Sequence, residues 1–344
     1  MEEYVGLDVA KEETAYCVKD GKGLVLAEGK AETDPGAIFE ALKAHCLCVE
    51  RIVLETGSMS AWLHRGLWER GLAVHVVDAR QAHAVMKLQH NKTDANDAAL
   101  LAELARTGFY RQVAVKSVAA QKARALLKAR EQVAKQRRAV DNTIGGILRS
   151  FGVRMARGTG SFAVRVRAAV SERPDVAAIV EPLLAARGVA ERSRDRLDKM
   201  VAEFAAMSPT CRVLMTAPGV GPVTALAFAA TIDDPTRFAK SRTVGVYAGL
   251  TSRRHQTGET DRSGRISKMG DGMLRSLLYE AAQSLLCIVR RACPLKTWAR
   301  RLKKKVGHKK ACVALARKLA VLLHRMWMDG AEFRWPPKEQ AVTA

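Results

Sequence analysis

The order of strand-like and helix-like segments in the first 106 residues constrains the fold of this chain more than any other feature. Alternating apolar residues predict strands at 4–9 and 14–18, and a third strand at 24–28. The DGKG turn at 20–23 makes a hairpin of the second and third strands. Thr33-Asp34-Pro35 then opens a helix with a capping residue and an early proline.

Strand and helix alternate in the residues that follow. A fourth strand is predicted at 51–55, and a helix containing Trp62 and Trp68 ends at Gly71. A fifth strand is predicted at 72–77, and polar helical sequence runs through 79–106. The resulting order, βββαβαβα, is that of the α/β ribonuclease H-like fold. We therefore predict such a domain over residues 1–110.

Four acidic residues fall where this fold brings elements together. Asp8 lies near the end of the first strand, Glu55 ends the fourth, and Asp94 and Asp97 lie three apart at a helix start. Clustered carboxylates can bind two magnesium ions about 4 Å apart. Such a pair of ions can activate an attacking oxygen and stabilise a leaving oxygen at a phosphodiester. Each acid also has a structural explanation, as a turn residue, an exposed residue or a favourable charge in a helix's first turn.

The middle of the chain predicts long helices. Residues 115–150 read as a basic, exposed helix, and 174–207 as an amphipathic helix that returns beside it, with a linker at 152–160. We assign 111–207 as a helical coiled-coil linker and dimerisation region. An ordinary helical spacer is the alternative.

An all-α domain is predicted over 208–330, followed by a tail at 331–344. Within it, residues 213–231 predict a helix, a PGVGP turn and a second helix, which resembles a helix-hairpin-helix. Gly219 and Gly221 would let backbone N–H groups approach a phosphate there. A tight turn between two packed helices is the other interpretation.

Charge is distributed unevenly along the chain, which carries a net charge of +22. Residues 1–110 hold 12 basic and 17 acidic side chains, a net of −5, whereas residues 236–344 hold 24 and 7, a net of +17. Clustered lysine and arginine bind phosphates by releasing counterions. This charge distribution predicts an acidic metal-binding module followed by a basic module that binds nucleic acid.

The remaining composition excludes other classes of protein. The seven cysteines lack the spacing of a zinc site and indicate reduced thiols. The sequence has neither a signal peptide nor an apolar run of membrane-spanning length. We therefore expect a soluble, cytoplasmic protein.

Several motifs resemble those of the DEDD insertion-sequence transposases, the "one-ten" group and its "one-one-one-one" subgroup. They cover most of the chain in the family's order: GLDVAK (6–11), LETG (54–57), KTDANDAALLAEL (92–104), APGVGPVTA (217–225), YAGLT (247–251), HQTGETDRSGRISKMGD (255–271) and LR (274–275). The resemblance implies a RuvC-like N-terminal domain, a coiled-coil linker and a helical transposase domain. It implies that Asp8, Glu55, Asp94 and Asp97 hold magnesium.

The same resemblance implies an RNA-guided recombinase whose partners are donor and target DNA and a structured guide RNA. A composite site would form between the subunits of a homodimer, with a tetramer at synapsis. Thr257 occupies the family's nucleophilic serine position, and its extra methyl group crowds the hydroxyl. Thr257 as the nucleophile, a different hydroxyl at Ser252 or Ser263, and loss of the chemistry all remain open.

Cationic side chains around Thr257 could bind the scissile phosphate and stabilise the charge on it in the transition state. The candidate phosphate contacts are Arg253, Arg254, Arg262, Arg265, Lys268 and Arg275. Two other functions stay open: a structure-specific nuclease that uses only the carboxylates and water, and a catalytically impaired protein that still binds RNA and DNA.

Overall fold

The computed structural model describes residues 2–46, 48–87, 91, 93–156 and 160–336. Lys92 of the KTDAND motif, residues 157–159 of the predicted linker and residues 337–344 of the predicted tail lie outside this range, as does the side chain of Ser263. The chain divides into two compact units, Met1–Lys116 and Ser117–Ala344.

The N-terminal unit is built on one five-stranded mixed sheet. Its strands are β1 (Glu3–Val9), β2 (Glu13–Asp20), β3 (Val25–Glu32), β4 (Val49–Glu55) and β5 (Val74–Val77). They lie in the order β3-β2-β1-β4-β5. The first three pair antiparallel, while β4 pairs parallel to both β1 and β5. The five strands expected from the sequence are all present.

Helices cover both faces of this sheet. They are α1 (Pro35–Lys43), α2 (Ser60–Trp68), α3 (Ala79–Met86) and α4 (Asp94–Thr107). Apolar residues of α1 and α2 pack on one face of the sheet, and Leu101 and Leu104 of α4 pack on the other. The continuous helix expected over 79–106 is wrong, because α3 ends at Met86 and α4 begins at Asp94 with the Thr93 hydroxyl as its cap.

The C-terminal unit is largely helical. Its helices are α5 (Val118–Ser150), α6 (Phe162–Ala169), α7 (Pro174–Met207), α8 (Pro209–Met215), α9 (Pro222–Ile232), α10 (Arg242–Tyr247), α11 (Gly272–Cys287), α12 (Pro294–Val306) and α13 (His308–Asp329). None of the helices in the described residues combines the length and the apolar character needed to cross a membrane.

The long helices α5 and α7 pack against each other in opposite directions. Near the start of α5, Leu127 shares a core with Val201, and near its end Ile144 shares a core with Val180. Between these apolar ends the helices are joined by ion pairs, among them Arg187 to Asp141 at 2.7 Å.

The main core of the C-terminal unit lies among α8, α9, α11 and α13. Phe228 and Leu319 are fully buried in it. The prediction of an all-α domain is wrong at residues 252–266. There the chain forms a two-stranded antiparallel hairpin of β6 (Ser252–Thr257) and β7 (Thr260–Ile266).

Candidate nucleic-acid-processing site

The register of β1 and β4 brings Asp8 and Glu55 to the same place on the sheet. Leu7 pairs with Leu54, so each acid is the residue that follows the last matched pair. Because side chains alternate along a strand, both acids share a face with Tyr4 and Val53, which pack against α4. The parallel pairing therefore places two carboxylates on adjacent strand ends under α4.

Helix α4 approaches this face closely because β1 carries a glycine there. A Cβ on Gly6 would lie 2.0 Å from the carbonyl oxygen of Ala98, so only glycine permits the contact. Asp94 and Asp97 belong to the first turn of α4, directly before Ala98 along the helix. All four predicted acids thus lie at the carboxyl end of β1 and β4 and the amino end of α4.

The partners of these carboxylates differ. Glu55 Oε2 is buried and has no hydrogen-bond partner. Asp97 is 6% exposed and makes no side-chain hydrogen bond or ion pair within the described residues. Asp94 is exposed, and its Oδ2 lies 3.3 Å from the Lys30 ammonium. Buried carboxylates without a cation are energetically costly, so this end of the sheet favours a bound positive charge.

Lys30 is a residue of this site that the sequence reasoning did not find. It pairs with Ala15 on β2, and Ala15 pairs with Asp8 on β1, so one cross-strand row leads from the ammonium to the predicted tetrad. The expected third strand ended at residue 28, whereas β3 extends to Glu32. An alternating pattern followed two residues further would have placed Lys30 on this face.

The donor chemistry of the four residues fits a hard divalent cation, because carboxylate oxygens are the ligands that magnesium prefers. In the part of the chain that the structure describes, no three or more His, Cys, Asp or Glu side chains form a group that could hold a metal ion. A metal site here therefore requires the carboxylates to close up, with Asp94 leaving Lys30. Asp97 would be a buried ligand and Glu55 a half-buried one.

The hairpin of the C-terminal unit carries Thr257 at its tip. Thr257 ends β6 and pairs with Thr260, so Gly258 and Glu259 form the turn. Gly258 has a φ of 52°, in the left-handed region that favours glycine. Every residue of β6 is exposed. The hydroxyl of Thr257 is accordingly presented to solvent on a short two-stranded projection.

The predicted phosphate contacts divide into two groups. Three arginines already bind within the unit: Arg253 donates to the carbonyl of Ser267, Arg254 pairs with Asp261, and Arg275 donates to the carbonyls of Ala248 and Lys268. The other three are exposed and have no ion pair within the described residues; they are Arg262, Arg265 and Lys268. The second group is the one available to a phosphate.

The base of the hairpin is a close backbone crossing of two motifs. A Cβ on Gly249 would lie 2.1 Å from the carbonyl oxygen of Met269, and one on Gly270 would lie 2.0 Å from that of Tyr247. Lys268 within this crossing has a φ of 55°, an uncommon conformation for a residue with a side chain. Residues 247–250 and 267–270 thus hold the hairpin in place.

Asp271, which follows this crossing, ties α11 to α5. Its carboxylate caps Leu274 N and accepts from Arg124 at 2.8 Å. Burial opposes its charge, yet the hydrogen bonds from Leu274 N and Arg124 hold the pKa of Asp271 below its ordinary value. Aspartate directly before a helix is a capping signal that could have identified this role.

The PGVGP turn joins α8 to α9 as expected. Gly219 has a φ of 81°, and a Cβ there would lie 2.5 Å from the carbonyl oxygen of Ala281 on α11. Packing against α11 is therefore sufficient to require this glycine. A Cβ on Gly221, which precedes α9, would meet nothing within 4 Å.

A cationic surface follows on α12 and the start of α13. Seven of its side chains are exposed and have no ion pair within the described residues: Arg300, Arg301, Lys303, Lys304, Lys305, Lys309 and Lys310. The sequence contains no acidic residue between Glu280 and Asp329. By contrast, several basic residues of α5–α7 are paired, as Lys135 is with Glu131 at 2.9 Å. We call these seven residues the α12–α13 cationic surface.

Comparison with known proteins adds two family matches. Residues 5–152 match a transposase family model of the DEDD IS110 type, and residues 211–294 match the transposase IS116/IS110/IS902 family. The first range contains the four predicted acids, and the second contains Thr257 and the hairpin.

Individual relatives are similar over most of their length. The chain is 30% identical over 326 residues to the transposase for insertion sequence element IS1111A of Coxiella burnetii, covering 93% of this chain and 88% of that protein. It is 29% identical over 280 residues to a probable family 20 transposase of Pseudomonas aeruginosa, covering 78% and 80%. It is 24% identical over 283 residues to the transposase for insertion sequence element IS1328 of Yersinia enterocolitica, covering 81% and 82%.

Proposed function

The chain belongs to the IS116/IS110/IS902 family of insertion-sequence transposases, and from this premise we propose that it exchanges DNA strands with a hydroxyl nucleophile and a magnesium site. It is a DNA transposase, an enzyme of phosphodiester chemistry. The observation that carries the proposal is the convergence of Asp8 and Glu55 on one sheet face with the acids of α4.

We assign the N-terminal unit to the ribonuclease H-like, RuvC-like class. The sheet order β3-β2-β1-β4-β5 with β2 antiparallel supports this assignment. Asp8, Glu55, Asp94 and Asp97 are the proposed ligands of two magnesium ions. When bound, such ions stabilise charge on the attacking and leaving oxygens of a phosphodiester. The buried, unpartnered Glu55 Oε2 is the strongest support for a cation here.

We propose Thr257 as the nucleophile. A nucleophile that attacks DNA must reach a phosphate held outside the protein, and the exposed tip of the hairpin meets that requirement. Arg262, Arg265 and Lys268 are the proposed contacts of the scissile phosphate, since they have no ion pair within the described residues. Arg253, Arg254 and Arg275 stay predicted phosphate contacts, and each also makes a hydrogen bond that supports the hairpin.

Guide RNA, oligomeric state and domain division are further proposals that rest on the family. A structured RNA would select donor and target DNA by base pairing. The α5–α7 pair is the proposed coiled-coil dimerisation region, and a tetramer would hold two DNA molecules at synapsis. The helices around Gly219 and Gly221 would act as a helix-hairpin-helix toward phosphates.

The test combines purified protein, RNA transcribed from the non-coding flank of the element, end-labelled donor and target DNA, and magnesium. On a denaturing gel we expect labelled DNA retained on protein, dependent on RNA. The retained band should disappear with Thr257→Ala and with Asp8→Ala, and it should persist with Thr257→Ser, which keeps the hydroxyl.

Three other results would each replace the proposal. Cleavage without an adduct, unaffected by Thr257→Ala, would make the protein a nuclease that uses the carboxylates and water. Tight binding of RNA and DNA without cleavage would make it an impaired protein. An adduct that survives Thr257→Ala but is lost with Ser252→Ala or Ser263→Ala would move the nucleophile to that serine.

A further inference from the structure

The strand register of the hairpin sorts its side chains onto two faces. His255 pairs with Arg262, and Thr257 pairs with Thr260. Because cross-strand partners share a face and side chains alternate along each strand, these four residues lie on one face. Gln256 and Asp261, which pair with each other, lie on the opposite face.

The opposite face is occupied by a contact within the hairpin. Arg254 Nε and Nη2 donate to the Asp261 carboxylate at 2.8 and 2.6 Å, a diagonal pair that joins the two strands. The face of Thr257 has no such pair in the residues that the structure describes. His255 and Arg262 on that face are both exposed. The hairpin therefore keeps one face for its own stability and leaves the other free.

Distances along the strand suit a direct interaction between His255 and the nucleophile. Residues two apart on one strand are separated by about 7 Å between Cα atoms, and their side chains lean along the strand. Directly opposed residues such as His255 and Arg262 have Cβ atoms about 5 Å apart. An imidazole and a guanidinium thus lie side by side on the face of Thr257, one cross-strand pair before it in the hairpin.

Resting on the proposed role of Thr257, we propose that His255 is the general base that takes the proton of the Thr257 hydroxyl, while Arg262 binds the phosphate under attack. Imidazole is the side chain whose charge changes between pH 5 and 8, which suits proton transfer at neutral pH. Asp261 is unsuited to this role because it lies on the other face, paired with Arg254.

Thr257 Oγ1 forms a bond to phosphorus, and its proton passes to an imidazole nitrogen of His255. The bond between phosphorus and one deoxyribose oxygen breaks, and that oxygen takes up a proton from water. The imidazolium then returns its proton to solvent. The product is a threonine phosphodiester and a free deoxyribose hydroxyl.

Several charged groups lie around His255. On β6 itself they are Arg253 and Arg254, and Arg254 is held by Asp261. The strand paired with β6 brings Arg262 directly opposite, Arg265 lies further along β7, and Glu259 lies in the turn. Arg262 is therefore varied separately from His255.

The experiment measures the rate of adduct formation from pH 5.5 to 8.5 in the complete protein–RNA–DNA complex with magnesium. The wild-type rate should rise with pH and level off, as expected of a general base that acts in its neutral form. His255→Gln should be about 100-fold slower and lack this inflection. Added imidazole should accelerate His255→Gly. Arg262→Gln should be slower and keep the inflection.

Gln256→Ala is the matched control, since Gln256 is the adjacent residue on the other face. It should keep the wild-type inflection and a rate within about twofold of wild type, as expected of an exposed position away from the reacting atoms. Thermal melts and RNA and DNA affinities should be unchanged in His255→Gln. A slow variant with normal binding is then defective in the chemical step.

A wild-type rate in His255→Gln, or an inflection that survives the substitution, would overturn the assignment of His255 while leaving Thr257 as the nucleophile. Absence of any adduct in the wild-type protein would instead overturn the proposed function and this assignment with it. The two failures are therefore distinguishable in the same assay.

Discussion

Replacing Lys303, Lys304 and Lys305 together with glutamine should weaken the dependence of DNA affinity on salt. For duplex DNA the slope of log affinity against log salt falls by about 0.9 for each phosphate that a cation no longer neutralises. Three lysines of the α12–α13 cationic surface should therefore reduce the slope by about 3 if each contacts a phosphate. Between 50 and 200 mM salt, the wild-type protein should lose roughly 40-fold more affinity than the variant.

The assay is a fluorescence-anisotropy titration of labelled duplex DNA at four or more salt concentrations. The matched control is Lys135→Gln, Arg167→Gln and Arg173→Gln, which removes the same net charge from ion-paired positions on α5–α7. The control slope should stay within about 1 of the wild-type slope. Equal losses in the two variants would refute the reasoning, because they would show that overall charge, and not this surface, binds DNA.

Three further predictions concern stability. Glu55→Gln should raise the unfolding free energy of the metal-free protein by about 1 kcal/mol, because it neutralises a half-buried carboxylate whose Oε2 is buried without a partner, and magnesium should raise the melting temperature of wild type but not of this variant; equal magnesium effects would contradict the metal assignment. Gly249→Ala should lower the free energy of unfolding by about 3 kcal/mol in chemical denaturation, because its Cβ would meet a backbone oxygen. The control Gly146→Ala, whose Cβ would meet nothing within 4 Å, should raise that free energy by about 1 kcal/mol. Similar effects of the two substitutions would contradict the close crossing. Asp271→Asn should cost about 2 kcal/mol near neutral pH. Because the pKa of Asp271 is depressed from 3.8 by its partners, the wild type should lose this advantage only as the pH falls below 3.8, which urea denaturation at several pH values would measure; a difference that is independent of pH would contradict it.

The strands of the N-terminal unit were predictable because one or both of their faces are buried. Burial forces apolar residues into a period of two, and the acids at the strand ends interrupt that pattern. Lys30 was not found because the predicted third strand ended at residue 28, although small and charged residues alternate through residue 32. The sequence pattern also could not locate the end of α3, because this helix is polar and shows no apolar periodicity whose loss would mark a boundary.

The hairpin β6–β7 was not predicted because, unlike the strands of the N-terminal unit, its first strand has no buried face. All residues of β6 are exposed, so neither face selects apolar side chains and no alternation appears. The sequence also does not show whether a basic residue has a hydrogen-bond or ion-pair partner within the protein. Arg275 and Arg262 look equivalent in the sequence, yet the guanidinium of Arg275 donates to two backbone carbonyls while Arg262 has no ion pair within the described residues.

The antiparallel helices α5 and α7 determine how the C-terminal unit comes apart. Helix α5 has 33 residues and is therefore about 50 Å long, with one apolar core near its start and a separate one near its end. Ion pairs join the two helices in the stretch between these cores. We therefore expect the distal core around Ile144 and Val166 to unfold as a separate cooperative unit, so that its amides exchange with solvent through a local opening while the core around Phe228 stays closed.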